Sequence, residues 1–354
     1  MSSQFSIQNS EWFHIGEMYN TENMSKRLEY IDALRGLAIL LVVFMHVPQY
    51  GFGQSIGGYY MELATLLAVP LFFFISGLFV PLEITPPSII KIKKRVHSIL
   101  LPTIVIGGLY AMLNHVSFMD MLQDKFKAGY WFTITLFEFF VIIDMLRLMA
   151  CKSQRLFFVL LIGACFLCYG LSVPTVQRMY GDIVIAHILG IAQWKYFIFF
   201  VLGMFVKHNA KTIYSDRGGA AIVMAFLIVY VANAIGDFQL NGFLYNINLL
   251  LKEISIVLLA YYVFYTYRSK LSSQTRMGRW LSKIGTYTLE IYLMHYFVLP
   301  RQLKGVVDIV GLDENPMLAL IVSMVIALMV VCVVLVFVAI LQSNSYIKKM
   351  LWNK

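Results

Sequence analysis

Residues 27–50, Arg-Leu-Glu-Tyr-Ile-Asp-Ala-Leu-Arg-Gly-Leu-Ala-Ile-Leu-Leu-Val-Val-Phe-Met-His-Val-Pro-Gln-Tyr, decide the fold class. At about 1.5 Å of rise per residue, a helix of this length crosses a hydrocarbon layer about 30 Å thick. Inside the apolar run sit Arg35 and His46. Eleven steps of about 100° bring them back to nearly one face, about 16 Å apart along the axis. Ionisable groups within a membrane are costly and mark function by default. Each has a plain structural reading as well. Arg35 can anchor the helix while pairing with Asp32 three residues earlier, and His46 can be a satisfied polar group near the boundary. Their shared stripe favours function.

The rest of the chain repeats the apolar pattern. Of 354 residues, 60% are hydrophobic and 13% charged, and the mean hydropathy is +0.74. Soluble domains are about half apolar and a quarter charged, which argues against a cytosolic enzyme, a disordered tail or a nucleic-acid binder. Apolar stretches at about 31–50, 61–80, 98–115, 131–150, 156–171, 184–206, 219–236, 245–267, 284–300 and 317–341 predict an all-α integral membrane protein. About ten transmembrane helices are expected. The least uniform is 184–206, interrupted by Gln193, Trp194 and Lys195. Alternation of the barrel type is absent. Residues 1–25 lack the basic-then-apolar order of a cleavable signal and read as a cytoplasmic lead-in. Residues 26–345 form the expected membrane domain, and 346–354 a short cytoplasmic end.

The net charge of +9 reads as topology rather than as a nucleic-acid patch. With the N-terminus inside, 20 of the 28 Lys and Arg fall on the cytoplasmic side and five outside, alternating at every loop. That split predicts both termini in the cytoplasm. Arg35, Lys195 and Lys252 remain within spans.

Further polar residues follow the same logic. His295 lies about eleven residues into the ninth stretch, at a depth matching His46, with Glu290 below it and Tyr292 one turn away. Glu138, about seven residues into the fourth stretch, can orient an imidazole for general-base work or pair with Lys195 or Lys252. The run Lys91-Ile-Lys-Lys-Arg95 suits a polyphosphate, although such clusters more often only fix topology or touch anionic lipid. The aromatic runs Phe72-Phe73-Phe74, Phe139-Phe140 and Tyr261-Tyr262, with Cys165 and Cys168, read as packing. The glycine-rich 51–60 loop is either a gate or a connector. No hydrolase elbow, P-loop or zinc-protease motif is present, and no metal-ligand spacing among the cysteines and histidines.

Taken together, these stretches resemble the membrane-bound acyltransferase 3 family of integral-membrane O-acyltransferases. Asp32-Ala-Leu-Arg-Gly36 leading to His46 is similar to its arginine-ten-residues-histidine signature. Pro70 to Phe79 resembles its Phe-x-Ser-Gly-Phe segment, with Ser76, followed by the basic run ending Lys94-Arg95 and then Pro102. Trp131-Phe132 resembles the opening of a later helix, and Ile284 to His295 the late Tyr-Leu-x-His segment. Leu78, Thr133 and Glu290 depart from the pattern and bear on subfamily and acceptor.

The resemblance implies a stand-alone enzyme of the inner (plasma) membrane that uses cytoplasmic acyl-CoA, most often acetyl-CoA, as donor substrate, with no bound cofactor. Its acceptor is a hydroxyl of a surface or lipid-linked glycan. Arg35, with Lys94, Arg95 and Ser76, is then expected near the donor, and His46, with Glu138 and His295, at the reacting atoms. The pantetheine arm is comparable with the 16 Å between Arg35 and His46. The same intramembrane charges also suit a multi-pass transporter or flippase of a lipid-linked sugar. Partners beyond acyl-CoA, acceptor glycan and membrane lipid are not implied, and the oligomeric state is left open.

Overall fold

The computed structural model describes residues 28–352 except 53–57, 87, 182, 236–241, 273, 302, 304, 306, 308, 310 and 313. The expected lead-in 1–25 lies outside the described residues, as does the centre of the glycine-rich loop. Every regular element among the described residues is helical. Among the described residues, six helices are long and apolar enough to cross a membrane. They are α1 (Glu29–Phe52, whose last six residues wind as a π-helix), α3 (Ile89–Leu113), α5 (Gln154–Leu171), α7 (Asp216–Ala234), α8 (Leu244–Thr266) and α11 (Pro316–Ser343).

The expected ten divide for identifiable reasons. In α2 (Gly58–Gly77) the apolar portion Met61–Gly77 is short. The fourth stretch folds as α4 (Trp131–Met149) but carries Glu138, Asp144 and Arg147. The stretch 184–206, expected as one span, is broken around its polar trio: Val184–Ile188 and a 3-10 segment, Ile191–Tyr196, precede α6 (Phe197–His208). The ninth divides at Tyr287 into α9 (Arg276–Thr286) and α10 (Thr288–Val298).

The most buried of the long helices is α1, contacted by α2, α8, α9, α10 and α11. Its closest neighbour is α9. A Cβ at Gly36 would overlap the Leu281 carbonyl, and one at Gly285 would overlap that of Asp32. Two glycines therefore let the backbones touch, as small residues do between membrane helices. Ser282 donates to the Glu29 carbonyl across the same seam, at 3.0 Å. Elsewhere the aromatic runs pack as expected, with Phe73, Phe74, Phe139 and Tyr261 all buried. The four cysteines are free thiols.

Candidate active site

His46 ends the regular α-helical part of α1 at Glu29–His46, and His295 lies near the end of α10. The two histidines from distant parts of the chain meet: Nδ1 of His46 is 3.0 Å from Nε2 of His295, with ring planes only 7° apart. His295 is fully buried, and its Nδ1 lies 2.7 Å from the Tyr292 carbonyl and 3.1 Å from that of Ile291. A carbonyl only accepts, so this nitrogen carries the hydrogen, and in a neutral ring Nε2 is left as an acceptor. His46 therefore donates from Nδ1. Its Nε2 then carries the acceptor lone pair, a tautomer assigned from this network.

That lone pair faces an aromatic cup. The Tyr296 hydroxyl is 3.4 Å from Nε2, and the Tyr50 ring stands edge-on to the imidazole at 5.6 Å. Tyr110 packs on Tyr296, and its hydroxyl accepts from Arg301 at 2.7 Å. Nothing in the sequence singles out Tyr296 except its place beside His295.

A bent segment holds the cup together. Lys127, Ala128 and Gly129 have φ of 50°, 51° and 100° in succession. This conformation delivers the Gly129 carbonyl to two phenols, Tyr292 at 2.6 Å and Tyr296 at 3.3 Å. A Cβ on Gly129 would overlap the Tyr296 ring, so both the positive φ and the close approach require glycine. Two further bonds tie this segment to α10. Tyr130 donates to the Leu293 carbonyl at 3.0 Å, and the Phe132 N–H donates to Tyr292 Oη at 3.2 Å. Beneath the bend, Lys127 is wholly buried and donates to the carbonyls of Leu122 at 2.9 Å and His187 at 2.6 Å. Burial pushes its ammonium below the usual lysine value. The Asp124 carboxylate accepts from the Phe126 and Ala128 N–H groups.

At the other end of α1, Arg35 lies 3.3 Å from Asp32, as their spacing predicts, and against the Phe79 ring. It lines a cavity of about 330 Å³ together with Ser76, Glu290 and Trp352. The same cavity reaches Phe132 and Tyr292, the residues tied to Gly129. Trp352 was not legible in advance. The chain after α11 turns back through a π-helix at Lys348–Trp352 and buries this indole.

Three expected participants stand elsewhere. The Glu138 carboxylate, expected beside an imidazole, accepts from the Trp194 indole at 2.9 Å, while backbone carbonyls lie against Nδ1 of His295. Among the described residues it pairs with neither Lys195 nor Lys252, and Lys252 bonds to Glu62 at 3.5 Å. Arg95 is engaged with Asp144 at 2.9 Å and with the Phe140 ring, away from the Arg35 cavity. Lys94 is exposed and does not line that cavity either.

A family model described as an acyltransferase domain matches residues 28–337. The chain belongs to the acyltransferase 3 family. Comparison with curated proteins gives no match, and comparison with solved structures gives none. The matched region runs from the start of α1 into α11 and so takes in the histidine pair, the bent segment and Arg35. This is an acyltransferase of multi-pass helical type, with its candidate chemistry inside the bundle.

Proposed function

We propose that the protein is a membrane O-acyltransferase that moves an acetyl group from acetyl-CoA to a hydroxyl of a surface or lipid-linked glycan at the plasma membrane. The observation carrying this reading is the His46–His295 pair, which leaves the second imidazole nitrogen of His46 as an acceptor, while the cavity that Arg35 lines reaches Tyr292, one turn before His295. In this reading both termini are cytoplasmic, Arg35 is at the donor side, and Ser76 faces the same space. Lys94 and Arg95 contribute positive potential around the donor entrance rather than direct contact.

The acceptor hydroxyl gives its proton to Nε2 of His46 as its oxygen attacks the thioester carbonyl. The carbon–sulfur bond then breaks, and the proton passes to the departing CoA sulfur. Charge developing on His46 is shared with the acceptor nitrogen of His295, which acts as the positioning residue. The Tyr296 hydroxyl lies 3.4 Å from Nε2 of His46 and is the candidate donor to the developing oxyanion.

The test is transfer of labelled acetyl from acetyl-CoA by the protein in native membranes. Wild-type protein labels glycan and His46→Ala does not. Undiminished labelling by folded His46→Ala refutes the base assignment, and glycan translocation with no CoA requirement refutes the enzymatic reading.

A further inference from the structure

A second cavity, about 320 Å³, lies beside the start of α4 and is lined by Trp131, Gln193, Lys195, Tyr196, Asn246 and Glu253. Ligand sites begin near 300 Å³ and place a few polar groups in an apolar wall. Lys125 and Gln177, from connections between helices, border it too, so the cavity lies at the loop end of the bundle.

Gln193 is 4% exposed, and its side-chain amide makes no hydrogen bond to the described residues, although it borders the cavity. Glu253 is 9% exposed and feels Lys195 electrostatically, yet among the described residues neither forms a contact ion pair. A buried amide without a partner is costly, and a buried carboxylate more so. One wall is aromatic: the Trp131 and Tyr196 rings stack at 5.6 Å and 25°. Charges of both signs, a free amide and an aromatic wall match a neutral, polyhydroxylated molecule, whose hydroxyls donate to carboxylate and amide oxygens and accept from ammonium and amide N–H groups.

Trp131 also connects this cavity to the candidate active site. The next residue, Phe132, lines the Arg35 cavity and binds Tyr292 through its N–H, and Gly129 two residues earlier holds Tyr296. We propose that this cavity binds a neutral sugar unit of the acceptor glycan; the proposal rests on the glycan-acyltransferase reading above.

Two measurements on the full-length protein test it. Ala192 also lines the cavity. In detergent or nanodiscs, saturation-transfer NMR with a panel of methyl hexosides is expected to give a signal that Ala192→Phe, which fills the cavity, removes. No signal from any hexoside, or one that Ala192→Phe retains, overturns the proposal. In native membranes with labelled acetyl-CoA, Gln193→Ala is expected to lower glycan labelling about tenfold, the loss of one or two buried hydrogen bonds, with KM for acetyl-CoA unchanged. Undiminished labelling, or a raised donor KM with acceptor use intact, overturns it as well. If the wild-type protein transfers no acetyl, the acyltransferase reading fails by itself, and the hexoside signal still decides the cavity.

Discussion

His46 and His295 stand 249 positions apart in the chain and share one hydrogen bond of 3.0 Å. The direction of that bond fixes which nitrogen of His46 is available. Removing the base itself with His46→Ala should lower kcat about 10²–10⁴-fold, the usual contribution of a positioned general base. Single-turnover transfer from labelled acetyl-CoA measures it, and a change confined to KM contradicts the role.

His295 acts through His46, so its variants should separate by chemistry rather than by size. His295→Leu removes the acceptor for the His46 Nδ1–H and should depress kcat strongly while leaving acetyl-CoA binding intact. His295→Gln restores an acceptor oxygen and should recover part of the rate. Equal activity in the two variants would assign His295 a packing role only.

Gly129 is constrained twice, by φ of +100° and by the Tyr296 ring. Gly129→Ala should displace that phenol and lower kcat at least tenfold, with a fall in Tm from strain of about 1–3 kcal/mol. Tyr296→Phe is the companion variant: it keeps the ring and should lose rate without losing Tm.

Lys127 supports the same bend from below through two backbone carbonyls. Lys127→Met leaves both without their donor, at a cost of about 1–3 kcal/mol each. Thermal unfolding followed in detergent should show a clear drop in Tm, larger than that of Lys125→Met at the exposed neighbouring position.

Arg35 and Trp352 line one cavity, whereas Arg95 is committed to Asp144. Arg35→Ala and Trp352→Ala should each raise KM for acetyl-CoA about tenfold or more, with a smaller effect on kcat. Arg95→Ala should act mainly on stability, through Asp144. Competition by CoA analogues reads the difference, and an unchanged donor KM in Arg35→Ala removes it from the donor site.

Much of this arrangement is legible in the sequence. Depth counting put His46 and His295 at one level, because rise per residue is fixed and both helices were given the same sense. The Arg35–Asp32 contact is local and follows from i,i+3 spacing. The break within 184–206 was signalled by Gln193, Trp194 and Lys195, which do not suit an unbroken lipid-facing helix. Partners chosen by tertiary contact were hidden. Glu138 is held by Trp194, and Arg95 by Asp144, because which helices adjoin depends on packing that one sequence does not encode locally. Gly129 and Trp352 gave no periodic signal at all: one matters through a backbone carbonyl, the other through a chain reversal.

Arg35 and His46 lie on a single uninterrupted run of α-helix, Glu29–His46. A helix stretches and twists little, so their spacing and mutual bearing are set by residue number rather than by contacts between them. A substitution between the two leaves that spacing as it is, whereas an insertion or a deletion does not. One added residue would carry His46 about 1.5 Å farther along the axis and swing it about 100° out of line. The first helix thus serves as a gauge, and the reach of any donor that bridges its ends is written in a count of residues.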